Sequence, residues 1–369
     1  MFHTLFQRTL LSVTAGGLML ALVPAPASAQ LQIKNEDVTI KFGIQGQFWA
    51  DWNQDATAAS VGSQGYQQNF FLRRARLMMG GNIGDKISFF FQTDDPKLGI
   101  TPKNLSTGFI LQDAFMEYKV NNYLQIAGGE MLVPFSRQGL QSTLSYYTLD
   151  ISSVATPNNA ALQQSALRDM GFQARGYFLH DRLQYRGGIF AGERDVNGRN
   201  PLRQALYLQY DFFSPEKEYA YAGTALGKRK ILAIDVGGDR QSSYRGYSAN
   251  IANDTPVNGG DEIGFNLQYL HFDGRQKFVT VPDQNNFMAE AAYYVHKAKF
   301  QPFVRAETQR FVAAVNDTKT INRVGGGVNY YIRNQNLKWT AQVLRALPQN
   351  GSPIRPSNEF TLQMQAFYF

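Results

Sequence analysis

From Val38 onward, apolar and polar residues take turns. Val38, Ile40, Phe42, Ile44, Gly46 and Phe48 alternate with Thr39, Lys41, Gly43, Gln45, Gln47 and Trp49. Period two held over about eleven residues is the length of a strand that crosses a bilayer at a tilt. The pattern returns in 170–178, where Met170, Phe172, Ala174 and Phe178 oppose Asp169, Gln173, Arg175 and Tyr177. It returns again in 337–343. Helical spacing accounts for none of these.

Sixteen such segments are predicted: 38–52, 67–81, 86–95, 108–120, 123–131, 168–180, 182–192, 201–213, 230–240, 244–256, 261–273, 286–296, 299–312, 319–333, 336–347 and 358–369. Tight turns at 82–85, 121–122, 180–181, 258–260, 297–298 and 333–336 alternate with longer connections at 53–66, 96–107, 132–167, 193–200, 274–285 and 348–357. An even strand count with short turns on one side and long loops on the other predicts an all-β fold, a transmembrane antiparallel β-barrel of about 16 strands. One connection breaks the rule: 214–229 belongs to the short side yet has sixteen residues. A closed barrel satisfies every backbone N–H and C=O without an exposed edge, which an open soluble sandwich or β-helix does not achieve. At sixteen strands the interior is too wide for side chains alone to fill, so a water-filled lumen is expected.

The N-terminus and the composition fit this reading. Residues 1–29 carry Arg8, an apolar stretch from Leu10 to Val23 and the small-residue end Ala27-Ser28-Ala29, the form of a cleaved export signal. The competing reading, a short membrane anchor, needs a longer apolar core. Residues 30–369 then form a single barrel domain. Charged residues are only 18% of the chain while aromatics reach 13%, with no cysteine. Lipid on one face and water on the other produce this balance, and aromatics collect at the two interfaces. Pairs such as Tyr146-Tyr147, Tyr293-Tyr294 and Tyr330-Tyr331 read as one ring facing lipid and one facing the lumen. At the end of the chain Tyr368 keeps the lipid phase and Phe369 falls out of it.

If the apolar phase faces lipid, Arg74, Arg76, Arg175, Arg186, Arg203, Arg305, Arg323 and Lys338 point inward, with Asp113, Glu117, Asp211, Asp235, Glu290 and Glu307 beside them. Eight bases against six acids give a modest positive lumen. Arg73, Arg74 and Arg76 form the densest group; guanidinium forks at this spacing suit phosphate or carboxylate guests. Arg73 shares the lipid phase, so it must sit near an interface, snorkel or mark a bulge.

Three stretches carry a family resemblance. Phe71-Leu-Arg-Arg-Ala-Arg-Leu77 with Gly80-Gly81 resembles the phosphate-selective porin O/P family. So do Leu111-Gln-Asp-Ala-Phe-Met-Glu-Tyr118 with Gly128-Gly-Glu-Met-Leu-Val-Pro-Phe-Ser-Arg137, and 227–234 with 239–247. The resemblance implies an outer-membrane, homotrimeric anion channel whose long third loop folds into the lumen. Matched by motif, Arg73, Arg74, Ser142 and Thr143 are its anion-binding positions, and Arg137 belongs to the same loop. The chain departs from the family at Gln138, where an acid is usual, and at Asp150-Ile151, where Arg-Ser is usual; loop 132–167 holds no lysine.

Other chemistries have little to stand on. His180, His271 and His296 lie in different hairpins, so neither a metal site nor a Ser-His-Asp arrangement is suggested, and no cofactor motif appears. Basic residues are spread over every strand, which argues against nucleic acid as a partner. Small phosphate-like anions and outer-membrane lipid are the expected partners. Two other uses of a barrel stay open: a sleeve for a threaded electron-transfer partner, and a hydrolase needing His271 beside a serine and a carboxylate.

Overall fold

The computed structural model describes residues 31–99, 108–164, 167–194, 197–199, 201–312 and 319–369. The segment read as an export signal, 1–29, lies outside them. Alternation becomes strand throughout: β1 (Gln32–Asn35), β2 (Val38–Gln54), β3 (Tyr66–Ile83), β4 (Ile87–Asp94), β5 (Ile110–Lys119), β6 (Gln125–Leu132), β7 (Arg168–Phe178), β8 (Leu183–Phe190), β9 (Arg203–Asp211), β10 (Ile231–Gln241), β11 (Tyr244–Pro256), β12 (Glu262–Asp273), β13 (Gln284–Tyr294), β14 (Phe300–Phe311), β15 (Ile321–Arg333), β16 (Leu337–Pro348) and β17 (Ser357–Tyr368). Each of β2 to β17 pairs antiparallel with the next. β17 then returns to β2, from Glu359 opposite Asn53 to Tyr368 opposite Ile44, and closes a sixteen-strand barrel. No described helix is long and apolar enough to cross a membrane.

β1 is the strand the alternation did not predict. It pairs with Val38 to Lys41 of β2, just beyond the last β17 partner at Ile44. The edge that β17 leaves unpaired is thus covered, which removes a site for unwanted strand addition.

In β9 the two faces separate cleanly. Arg203, Ala205, Tyr207, Gln209 and Asp211 are buried, while Gln204, Leu206 and Leu208 are exposed on the outer wall. Tyr293 and Tyr330 face out and Tyr294 and Tyr331 face in, as expected; Tyr146 and Tyr147 depart from that reading because both lie in a loop and both are buried. Phe369 continues the alternation inward without a bulge: its ring meets Phe90 at 5.8 Å and lies against Gly43 and Gly80. Gly325 and Gly327 serve the close approach of β15 and β16, since a Cβ there would run into the carbonyl oxygens of Val343 and Ala341.

The connections alternate in length as predicted, with one exception on each side. The β9–β10 connection, on the short-turn side, spans 212–230 and is buried at Glu216, Tyr221 and Thr224. The next one, β10–β11, is only Ser242-Ser243 on the long-loop side.

Candidate functional site

The three β3 arginines are brought together by a break in the ladder. Arg74 opposes Gln47 and Leu72 opposes Phe48, so Arg73 is the extra residue of a bulge. The bulge re-aims Arg73 from the lipid phase to the inside. There Arg73 Nε donates to Asp150 Oδ2 at 2.8 Å and Arg74 Nη2 to Asp150 Oδ1 at 2.6 Å. Arg74 also donates to Gln47 Oε1 at 2.6 Å. Arg76 pairs with Asp94 at 2.9 Å and donates to Thr143 Oγ1 at 3.1 Å. Arg73, Arg74, Arg76, Asp94 and Thr143, with Arg168 and Tyr146, border a cavity of about 180 Å³. Burial alone would raise the Asp150 carboxyl, but the Arg73 and Arg74 guanidiniums hold it well below the usual carboxylate range. Asp150 is an internal counter-anion for this wall.

Segment 133–167 reaches inward-facing side chains on many strands. Gln45 Nε2 donates to Thr143 Oγ1 and Gln47 Nε2 to the Thr143 carbonyl, both at 3.2 Å. Farther round the ring, the Tyr147 hydroxyl donates to Asp254, and Asn329 Nδ2 to the Tyr147 carbonyl at 2.6 Å. Thr148 Oγ1 donates to Glu290 at 3.0 Å, Leu149 N–H to Gln342 at 3.1 Å, and Arg305 Nη2 to the Asp150 carbonyl at 2.7 Å. Strands β2, β3, β11, β13, β14, β15 and β16 all take part.

The β9–β10 connection comes in to meet it. Tyr221 N–H donates to the Leu140 carbonyl and Ser142 N–H to the Tyr221 carbonyl, both at 2.8 Å, a two-bond parallel ladder. Gly223 N–H donates to Ser145 Oγ at 3.0 Å. Arg186 donates to the carbonyls of Tyr219 and Glu218 at 2.7 Å, with its guanidinium 4.6 Å from the Tyr221 ring centroid. Arg137 pairs with Glu216 at 2.8 Å and lies 5.1 Å from the same ring. The Tyr219 hydroxyl donates to Asp113 at 2.7 Å and accepts from Leu132 N–H at 2.7 Å.

The sequence-predicted site residues therefore divide. Arg73, Arg74, Arg76 and Thr143 share one cavity. Arg137, Arg186 and Ser142 anchor the inserted turn. Arg175 is bound to Glu117 at 2.6 Å, Arg203 to Asp239 at 2.6 Å, and Arg305 to Glu290 and Glu307, away from that cavity. Arg323 and Lys338 have no ion pair among the described residues; Lys338 Nζ lies 5.8 Å from the Tyr331 ring centroid. The charge balance corrects the expectation. Seven buried bases (Arg74, Arg76, Arg137, Arg186, Arg203, Arg305 and Lys338) stand against fourteen buried acids. The buried set is acidic because Asp51, Asp94, Asp95, Asp169, Glu216, Asp239, Asp254 and Glu262 join the predicted six. The phase count missed them, since several sit at strand ends or in loops. Asp150, Glu216 and Tyr221 were missed as site residues because they lie in connections, and Gln47 because only charged residues were counted; the one signal pointing to Glu216 and Tyr221 was the abnormal length of 214–229. No group of three or more His, Cys, Asp or Glu able to hold a metal exists among the described residues.

Residues 42–223 match the family model described as phosphate-selective porin O and P. No curated protein matches the sequence. Among solved structures, the fold is similar to the anion-selective porin from Comamonas acidovorans, at 14% identity and a TM-score of 0.60, covering 90% of this chain and 99% of that one. It is similar to Salmonella typhi OmpF in complex with daunomycin, at 12% identity and 0.59, covering 91% and 100%. It is also similar to the outer membrane channel DcaP of Acinetobacter baumannii, at 12% and 0.59, covering 91% and 99%.

Proposed function

We propose that this chain, which through residues 42–223 belongs to the phosphate-selective porin O and P family, is a passive outer-membrane channel preferring small anions such as phosphate. The coarser statement, an outer-membrane channel of porin fold and not an enzyme, follows from that family and from the closed barrel. The anion preference rests on one observation: Arg73, Arg74, Arg76 and Arg168 border a single inner cavity. Guanidinium forks hold oxyanions by paired charged hydrogen bonds. A passing anion takes the place of Asp150 on Arg73 and Arg74, then of Thr143 and Asp94 on Arg76. Segment 133–167, folded into the lumen, sets the narrowest passage. Export by a signal cleaved after Ala29, insertion into the lipid of a Gram-negative outer membrane, and assembly as a homotrimer complete the reading; the Comamonas porin's described anion selectivity is in keeping with it.

A second reading has its own support. Fourteen buried acids against seven bases favour cations over the channel as a whole. A sleeve for a threaded partner is the weaker alternative, because that partner would have to displace both segment 133–167 and the inserted turn. A hydrolase is weaker still: His271 lies on the outer wall, stacked on Tyr247 and hydrogen bonded to Asn285 at 3.1 Å.

Planar-bilayer recording separates these. A reversal potential shifted toward the anion in a salt gradient, lost when Arg74 and Arg76 are both changed to alanine, supports the anion reading. A shift toward the cation establishes the second reading, and no conductance removes the channel.

A further inference from the structure

On the outer wall, near the long-loop end, Arg240 of β10 stands directly opposite Arg245 of β11. Both alternate with inward residues (Asp239, Gln241, Tyr244 and Gly246 are buried), so both side chains lie on the lipid side. Like charges directly opposite in a ladder destabilise the pair unless something neutralises them. Nothing among the described residues does. Arg245 Nη1 reaches only the carbonyls of Ser242 and Tyr244, at 2.5 and 2.7 Å. The carboxylate opposite Arg245 on its other side, Asp273, is taken by Arg275 at 2.7 Å.

The next row of the sheet makes a hollow beneath this pair. Leu206, Gly238 and Tyr247 lie side by side, and Gly238 is open: a Cβ there meets no atom within 4 Å. The hollow, of about 330 Å³, is lined by Gln204, Leu206, Gly238, Arg240, Arg245 and Tyr247. Below it the wall continues over Val236 and Ala249 into an apolar groove of about 590 Å³ across β10 to β14. Because Ser242-Ser243 is only a two-residue turn, this hairpin carries no long loop of its own.

We propose that this hollow binds a phosphate-bearing glycolipid of the outer leaflet. Its phosphate would bridge Arg240 and Arg245, and an acyl chain would lie over Gly238 and Ala249. Guanidiniums pair strongly with phosphate, and apolar surface beside them suits a lipid where a free ion needs none. The site faces away from the lumen, so it stands or falls apart from ion selectivity.

The test is native mass spectrometry of the full porin in detergent, mixed with a bis-phosphorylated lipid A-type glycolipid, its dephosphorylated form, or inorganic phosphate. The expected result is retention of the phosphorylated lipid, lowered about tenfold by the double change Arg240→Ala and Arg245→Ala. Gly238→Leu, which fills the hollow but keeps both arginines, should lower it as well. Dephosphorylated lipid and inorganic phosphate should bind no better than to the double variant, with wild-type conductance in every variant. Equal lipid retention by wild type and the double variant overturns the proposal. So does inorganic phosphate held as strongly as the lipid, or loss of oligomer in Gly238→Leu with lipid binding unchanged, which would give the hollow to a second copy of the chain.

Discussion

The β3 wall and the inserted β9–β10 connection use the same materials to opposite ends. Both set buried arginines against carboxylates beside segment 133–167. At β3 two guanidiniums share one carboxylate, Asp150, and border a cavity. At the insert, Arg137 pairs one to one with Glu216 and also donates to Gln209, Arg186 is held by Gln184 and two carbonyls, and both cover the Tyr221 ring. The difference lies in surplus. Two cations sharing one acid retain net charge for a guest, whereas a cation with an acid of its own, as Arg137 has in Glu216, acts as a fastener. A basic residue in a lumen is therefore not in itself an anion site; the charge its own carboxylates leave uncompensated decides.

The sharpest way to break the comparison is to remove the fastener. Replacing 216–227 by a short Gly-Ser turn should raise single-channel conductance severalfold while leaving ion preference with the β3 wall. Unchanged conductance would mean the insert lies outside the current path. Next is Glu216→Ala, which strands the buried Arg137; breaking a buried pair from one side costs about 3–5 kcal/mol. The expected readout is a lower thermal midpoint and noisier open-channel current, with little change in reversal potential.

At the β3 wall, Asp150→Asn removes the internal competitor. Anion preference should rise by a few-fold in reversal-potential measurements, whereas Arg74→Ala with Arg76→Ala should lower it. A fall in anion preference for Asp150→Asn would show that Asp150 orders the wall without competing.

The smallest effect concerns pH. The Asp150 value is depressed by its arginines, so the clamp it forms is fully present above the ordinary carboxylate range and is lost only as pH falls through the lower folded value. Titrating conductance from pH 7 to about pH 4, the ordinary carboxylate value, should reveal no step from this pair; a step there, absent in Asp150→Asn, would count against it.

Much of the fold was legible. The predicted strand 38–52 is β2 less its last two residues, 168–180 contains β7, and the asymmetry of connections held except at 212–230, whose length the sequence already showed, and at Ser242-Ser243. Arg73 shows how far phase reasoning reaches. A residue in the wrong phase announced a bulge, and the break between Gln47 and Phe48 is that bulge. The lumen charge was less legible. The inward count took carboxylates from strand interiors only, and Asp94, Glu216, Asp254 and Glu262 sit at strand ends or in connections.

The sequence by itself determined the strands, their inward and outward faces, the closure into sixteen and the odd length of one turn. Each depends on a repeat of two or on local turn chemistry, which a reader of the chain can follow residue by residue. Only the tertiary structure decided which carboxylate each arginine meets and where the long turn goes. Arg73 finds Asp150 from 77 positions away, and Arg137 finds Glu216 from 79. Such pairings depend on how two inserts fold across a closed ring, and the period along any one strand carries no information about that.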